Sequence, residues 1–205
     1  MTAAGNPVFA AIGRYYDGLV AKYGHDPRAC DYGRAESQAI KFKVLSEVTP
    51  LDGKRVLDVG CGFADYAAYL SRRFREVAYT GVDISAAMVA EARRLHPALP
   101  IMAANVLEDD VGTHDVVTAN GIFYLLGADA PALTRALIAR MFASATEAVA
   151  FNSLSAWAPD REPGEYYADP AEILDYCRTL TPWVALRHDY HSRDFAVYLY
   201  RERRP

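Results

Sequence analysis

Residues Arg55 to Asp65, R-V-L-D-V-G-C-G-F-A-D, restrict what this chain can fold into more than any other stretch. Val56, Leu57 and Val59 form an apolar run too short for a helical period, so the run reads as a buried strand. Gly60 and Gly62 break it. Ala64 to Phe74 then carries Ala64, Ala67, Ala68 and Leu70 at helical spacing. A strand, a glycine turn and a helix together make a cofactor cradle. Glycines let a ligand press on the backbone, and a helix N-terminus offers unpaired N–H groups. Asp58 at the end of the strand is the discriminating residue. A carboxylate there would repel a phosphate, so the turn suits a ligand with a cationic group.

The rest of the chain alternates. A helix is expected over Val8 to Tyr23, with Phe9, Ile12, Tyr15, Tyr16, Leu19, Val20 and Tyr23 on one stripe, broken at Gly24-His25-Asp26-Pro27. A polar stretch through Gly33 leads to a second helix, Ala35 to Val48, stopped by Thr49-Pro50. Further strands are predicted at Val77 to Asp83, Pro100 to Asn105, Asp115 to Ala119 and Ala148 to Phe151. Helices are predicted from Ser85, a natural N-cap, to Leu95, and from Asp129 to Phe142 with Pro131 in the first turn. Asp169-Pro170-Ala171-Glu172 has the capping-box pattern for a helix to Thr179. Trp183 to Tyr190 and Phe195 to Tyr200 follow with no helix between them and read as an antiparallel hairpin. The expectation is one α/β domain, a mostly parallel sheet with helices on both faces and an antiparallel final strand. Residues 1–50 would form a helical cap or lid and residues 51–205 the core.

Composition removes several classes. The net charge of -4 over 205 residues leaves no electrostatic footprint for nucleic acid or an anionic membrane. Apolar runs are too short to cross a bilayer. M-T-A-A-G-N-P has no basic n-region, which argues against a signal peptide and for a cytoplasmic protein. Cys30, Cys61 and Cys177 are far apart, so reduced thiols and no metal site are expected.

Asp58-Val59-Gly60-Cys61-Gly62, followed by Gly81-Val82-Asp83-Ile84-Ser85, resembles the paired motifs of the class I S-adenosylmethionine-dependent methyltransferases. The resemblance runs from about Arg55 to the C-terminus and implies a doubly wound, Rossmann-like, seven-stranded sheet with its last strand antiparallel. It departs from the family at two places: Ala64 stands where the third glycine falls, and Asn105 where aspartate often follows strand three. A nicotinamide or flavin Rossmann protein is the nearest competitor. Its fingerprint has glycine or alanine where this chain has Asp65, and lacks the Asp58 carboxylate. The finer resemblance is to small bacterial methyltransferases, carried by Ser37 to Phe42, Ala119 to Phe123, Tyr166 to Pro170, His188 to Tyr190 and Phe195 to Tyr198.

The resemblance implies S-adenosylmethionine as cofactor and assigns roles by position. Asp58 would orient the ammonium end, and Gly60, Cys61 and Gly62 would line the methionine part. Asp83 would accept the ribose hydroxyls, Ile84 and Met88 flank the adenine, and Asn105 and Val106 read its edge. Asn120 would offer its carbonyl to the ammonium group, and Tyr15 would border the cofactor. In open α/β sheets the acceptor binds beyond the strands' carboxyl ends. That brings Tyr15, Tyr16 and Tyr23, the Gly121 to Leu126 loop and the long Asn152 to Ala168 connection around the reacting methyl. Trp157, Tyr166 and Tyr167 would form an aromatic wall able to stabilise a sulfonium. Tyr16, Asn120, Tyr167 and His188 are the candidate catalytic residues, with His191 and Asp189 as further base candidates and His25 a weaker one. The function expected is transfer of a methyl group to oxygen, nitrogen or carbon of a small metabolite, by a monomer or homodimer with no nucleic-acid or membrane partner. Protein or nucleic-acid methylation, and a non-catalytic binding module, are the alternatives.

Overall fold

A computed structural model describes residues 6–31 and 35–204; Met1 to Gly5, Gly33 with its two neighbours, and Pro205 lie outside the described residues, and with them part of the expected lid. Six helices and seven strands follow in the order α1 (Pro7–Tyr23), α2 (Ala35–Ser46), β1 (Arg55–Val59), α3 (Asp65–Ser71), β2 (Ala78–Asp83), α4 (Ala86–Leu95), β3 (Ile101–Ala103), β4 (His114–Ala119), α5 (Ala130–Ser144), β5 (Ala145–Leu154), α6 (Pro170–Leu180), β6 (Val184–Arg187) and β7 (Asp194–Tyr200). Short 3-10 turns at Pro27–Cys30 and Gly127–Asp129 complete the described elements.

The sheet order is β3-β2-β1-β4-β5-β7-β6. The first five strands in that order pair in parallel, and β7 runs antiparallel to both β5 and β6. Only β7 is reversed, as the hairpin reading of the tail requires. The strand order changes direction between β1 and β4, where Val59 pairs with Ala119. This switch point leaves a crevice at the strands' carboxyl ends.

The strands separate two cores by strict alternation. Leu57, Val59, Val117, Ala119, Val149, Phe151, Phe195, Val197 and Leu199 face Leu137, Ile138 and Met141 of α5 and Ile173 and Cys177 of α6. Val56, Val116, Ala148, Ala150, Ala196 and Tyr198 face α2, α3 and α4 through Phe42, Val44, Leu45, Tyr66, Leu70 and Val89. The alanines on that face make room for the ring cluster Phe42, Tyr66 and Tyr69.

Several boundaries move. The second tail strand begins at Asp194, and the first shortens to Val184–Arg187, because the chain turns at 188–193 to return antiparallel. Helix α3 stops at Ser71, three residues before Phe74, and β5 extends to ten residues because β7 pairs along it as far as Leu154. The 3-10 turn at Pro27–Cys30 falls inside the stretch read as irregular; Asp26 caps it by accepting from the Arg28 N–H at 3.0 Å. Among the described residues no helix is long and apolar enough to cross a membrane.

Candidate active site

The glycine turn begins with a geometric demand. Gly60 and Gly62 have φ of 73° and 53°, the left-handed region where only glycine is unstrained. A Cβ on Gly60 would stand 2.4 Å from Ile122 Cγ2, and one on Gly62 would stand 3.3 Å from Cys30 Sγ. Ala64 also takes a positive φ, 62°, in turning the chain into α3. The backbone N–H groups of Gly60 and Cys61 both reach Val82 O, which ties the turn to β2.

Asp58 and Asp83 close the two sides. Asp83 Oδ2 accepts from the Gly62 N–H at 2.8 Å, and Oδ1 from the Ser85 N–H at 2.8 Å. It therefore holds the glycine turn and the start of α4 in one register. Asp58 Oδ2 accepts from the Tyr79 hydroxyl at 2.8 Å, and Oδ1 faces the Thr118 hydroxyl at 3.3 Å. Burial pushes the Asp58 carboxyl up to about 7, against the downward pull of those two hydroxyls, and the charge of Asp83 adds to the rise. Burial raises Asp83 too, opposed by the backbone N–H groups of Ser85, Gly62 and Ile84. Two buried carboxylates with no cation paired to them among the described residues mark a place for a cationic ligand.

These residues open onto a cleft enclosing about 1050 Å³, counting its open mouth, room enough for a nucleoside-sized ligand and a partner. Tyr16, Asp58, Gly60, Cys61, Gly62, Asp83, Ile84, Met88, Asn105, Val106 and Asn120 all lie on its lining. Among the described residues the lining holds three carboxylates, with Asp65 the third, and no lysine or arginine. Asn120 is positioned by Asn152, whose Nδ2 donates to Asn120 Oδ1 at 2.9 Å while its Oδ1 accepts from the Gly121 N–H at 2.7 Å. Burial drives the thiols of Cys61 and Cys30 up, Cys30 to about 12, so neither is an activated nucleophile.

Three expected site residues lie off this cleft. Tyr15 is 43% exposed, on the outer side of α1, because successive helical residues cannot share one face; its hydroxyl donates to Asp31. The Tyr167 hydroxyl donates to Glu165 at 2.5 Å and accepts from Arg193 and the Glu162 N–H, which holds the ring against its own loop and the β6–β7 turn. His188 Nε2 sits 2.7 Å from Ser155 Oγ, and its ring stacks between Trp157 and Phe195. It packs beside the carboxyl end of β5, outside the cleft lining. The expected aromatic wall of Trp157, Tyr166 and Tyr167 is therefore not on the cleft lining: Trp157 is 57% exposed beside His188. His191 Nδ1 faces Asp194 rather than the cleft, Asp189 pairs with Arg187, and His25 pairs with Asp65 at 3.2 Å.

Other residues reach the cleft unannounced. Tyr66 is 2% exposed, lines the cleft, and its hydroxyl has no partner among the described residues. Gln38 and Phe42 come from α2, inside the Ser37 to Phe42 piece, and Tyr124 from the Gly121 to Leu126 loop. Asp17 of α1 caps α4 from outside: its Oδ1 accepts from Ser85 Oγ at 2.6 Å and from the Ala87 N–H at 3.1 Å. Gly13 permits this approach, since a Cβ there would stand 3.2 Å from Ile84 O. The α1 stripe was visible as a period, but nothing in a period says which element it covers.

A doubly wound sheet with an acidic glycine turn and a second acid at the end of β2 defines a Rossmann-like, cofactor-binding α/β protein. A family model described as a methyltransferase domain matches residues 56–144. A Mycobacterium tuberculosis protein named as a methyltransferase is 30% identical over 161 residues, covering 73% of this chain and 95% of that one. The trans-aconitate 2-methyltransferase of Rhodopseudomonas palustris is 39% identical over 82 residues, 39% of this chain and 32% of that enzyme, so the match spans about a third of that relative. Magnesium protoporphyrin IX methyltransferase of Synechocystis, solved with bound S-adenosylmethionine, superposes with a TM-score of 0.67 at 19% identity, over 97% of this chain and 100% of that one. The chain belongs to the class I S-adenosylmethionine-dependent methyltransferases. Its residues fit that cofactor. The cleft is acid-lined, it presents a glycine cradle that a Cβ would fill, and the Tyr66 hydroxyl lacks a protein partner.

Proposed function

We propose that this enzyme methylates a small molecule, which it encloses between the carboxyl ends of β1, β2 and β4 and the cap formed by α1. S-adenosylmethionine, when bound, supplies the methyl group as a sulfonium electrophile. Asp58 would meet its ammonium group and Asp83 its ribose hydroxyls, and Ile84, Met88, Asn105 and Val106, which line the same cleft, would surround the adenine. The Tyr66 hydroxyl, buried and without a partner among the described residues, is suited to its carboxylate. The acceptor occupies the part of the cleft under Phe9, Ile12 and Tyr16 of α1 and Tyr124. Tyr16 and Asn120, which line the cleft, keep a place in the reacting region; Tyr167 and His188, which do not line it, do not. The cap of residues 1–50 and the core of 51–205 act as one domain.

The observation that carries this reading is the roof. Asp17 and Gly13 seat α1 directly on the start of α4, so the acceptor space is a covered cleft rather than an open platform for a macromolecule. The test is transfer of labelled methyl from S-adenosylmethionine into a cell extract, separated by size. Label in the small-molecule fraction is expected. Label confined to protein or RNA would overturn the proposal.

A further inference from the structure

We propose that the methyl acceptor is a neutral hydroxyl, and that Tyr16 takes its proton and passes it through Tyr124 to Asp31. This rests on the small-molecule reading above and narrows it to one acceptor class. Tyr16 of α1 and Tyr124 of the β4–α5 connection both line the cleft, in the part assigned above to the acceptor.

Their hydroxyl oxygens lie 2.7 Å apart, and Tyr124 Oη lies 2.7 Å from Asp31 Oδ2. Asp31 is exposed, so three groups in line join the covered cleft to water. The direction of this line is fixed from its outer end. A carboxylate has lone pairs and no proton to offer, so the Tyr124 proton points to Asp31. Tyr124 Oη then meets Tyr16 as an acceptor, and the Tyr16 proton points to Tyr124. A hydroxyl carries one proton. Tyr16 Oη therefore offers any further partner a lone pair alone, and among the described residues it has no other partner. A group placed against it must donate.

Burial raises the phenols of both Tyr16 and Tyr124. Neither rests as a phenolate, so each takes a proton on one side only as it releases one on the other.

The acceptor class follows from this direction. A carboxylate or phenolate has no proton to give, and it would face the Tyr16 lone pairs with no lysine or arginine on the described lining to hold its charge. A free amine attacks with its own lone pair and needs no base. A neutral hydroxyl is a weak nucleophile until its proton begins to leave, and it is the group such a line serves. As an oxygen lone pair bonds to the methyl carbon, the carbon–sulfur bond breaks and its electron pair stays on sulfur. The acceptor O–H bond breaks and its electrons stay on oxygen. That proton goes to Tyr16 Oη, the Tyr16 proton to Tyr124 and the Tyr124 proton to Asp31, which releases it to water.

The test uses the full chain, S-adenosylmethionine labelled in its methyl group, and the small molecules of a cell extract as acceptors. The label is expected to survive alkali and then to leave as methyl iodide in hot hydriodic acid, the behaviour of a methyl ether. Label lost as methanol in alkali marks an ester, and label that hydriodic acid leaves in place marks nitrogen or carbon; either overturns the assignment. The linkage is read on whichever size fraction carries the label, so it is decided separately from the small-molecule reading. Asp31→Gly keeps the left-handed φ of 58° without strain. It should slow transfer by about tenfold or more with S-adenosylhomocysteine affinity unchanged, and formate, which can reach this exposed position, should restore part of the rate. Tyr124→Phe should be as slow and gain nothing from formate, because its break lies between formate and the cleft. Full activity in Asp31→Gly, or formate that acts on both variants or on neither, overturns the relay.

Discussion

The Tyr79 hydroxyl on β2 donates to Asp58 Oδ2 on β1 across 2.8 Å inside the sheet, where both side chains are buried. A tyrosine therefore supports the carboxylate that the family resemblance assigns to the ammonium end of the cofactor. Because burial outweighs this bond, the carboxyl titrates near neutrality in the free protein at about 7.

The first prediction is a pH-dependent affinity. Asp58 must be ionised to pair with an ammonium group, so S-adenosylhomocysteine binding should strengthen as pH rises from 6 to 8 and then level off. Isothermal titration across that range tests it, with Asp58→Asn expected to bind weakly and with a flat profile. The same group acts on stability in the opposite sense. Its folded value lies above its unfolded one, so the native state holds the extra proton between about pH 4 and pH 7, and the free protein should lose stability across that window. Asp58→Asn should remove that slope in thermal melts.

The glycine turn should not tolerate a side chain. Gly60→Ala faces a φ of 73° and Ile122 Cγ2 at 2.4 Å. A loss of about 1–2 kcal/mol from the backbone alone is expected, together with at least a tenfold loss of cofactor affinity. Adding Ile122→Ala should recover the steric part and leave the backbone part. Chemical denaturation of the two single variants and the double variant separates them.

Asp83→Ala should weaken S-adenosylmethionine and S-adenosylhomocysteine binding by more than tenfold, because it removes an acceptor and frees the Gly62 and Ser85 N–H groups it holds. Asp83→Asn keeps one acceptor oxygen and should lose less. Fluorescence or calorimetric titration orders the three proteins, and equal affinities would remove Asp83 from the cofactor site.

Asp17 couples the cap to the core. Asp17→Ala should cost about 1 kcal/mol, as for the loss of a helix cap, and should speed cofactor release more than it lowers the melting temperature. Stopped-flow release of the cofactor measures the first effect and calorimetry the second. A change in stability without a change in release would make α1 a passive buttress.

The Lys41–Asp194 pair is buried, with side chains 10% and 3% exposed. Burial alone would raise the Asp194 carboxyl, yet His191 and Lys41 hold it below its ordinary value. Lys41→Met should strip that support and destabilise the fold by about 3–5 kcal/mol, as expected when one member of a buried pair is removed. Urea denaturation gives the value.

Much of this protein was legible along the chain, because its signals are local. The strand–glycine–helix unit, the two acids spaced one βα unit apart and the alternation of the tail hairpin each lie within a single short stretch of chain. Together they specify the parallel sheet, its reversed last strand and the floor of the cofactor cleft. Periodicity states that a residue faces inward, not what it meets there. Tertiary structure alone decided that Tyr16 faces the cleft while Tyr15 turns to Asp31, and that Asp17 of the first helix caps the fourth. It also withdrew Tyr167 and His188, which have the right chemistry but are held by Glu165, Arg193 and Ser155 at another edge of the sheet. The glycine turn is built from contiguous backbone and is written in order; the roof of the cleft gathers Tyr16, Gln38, Phe42 and Tyr124 from segments far apart, and only packing brings such residues together.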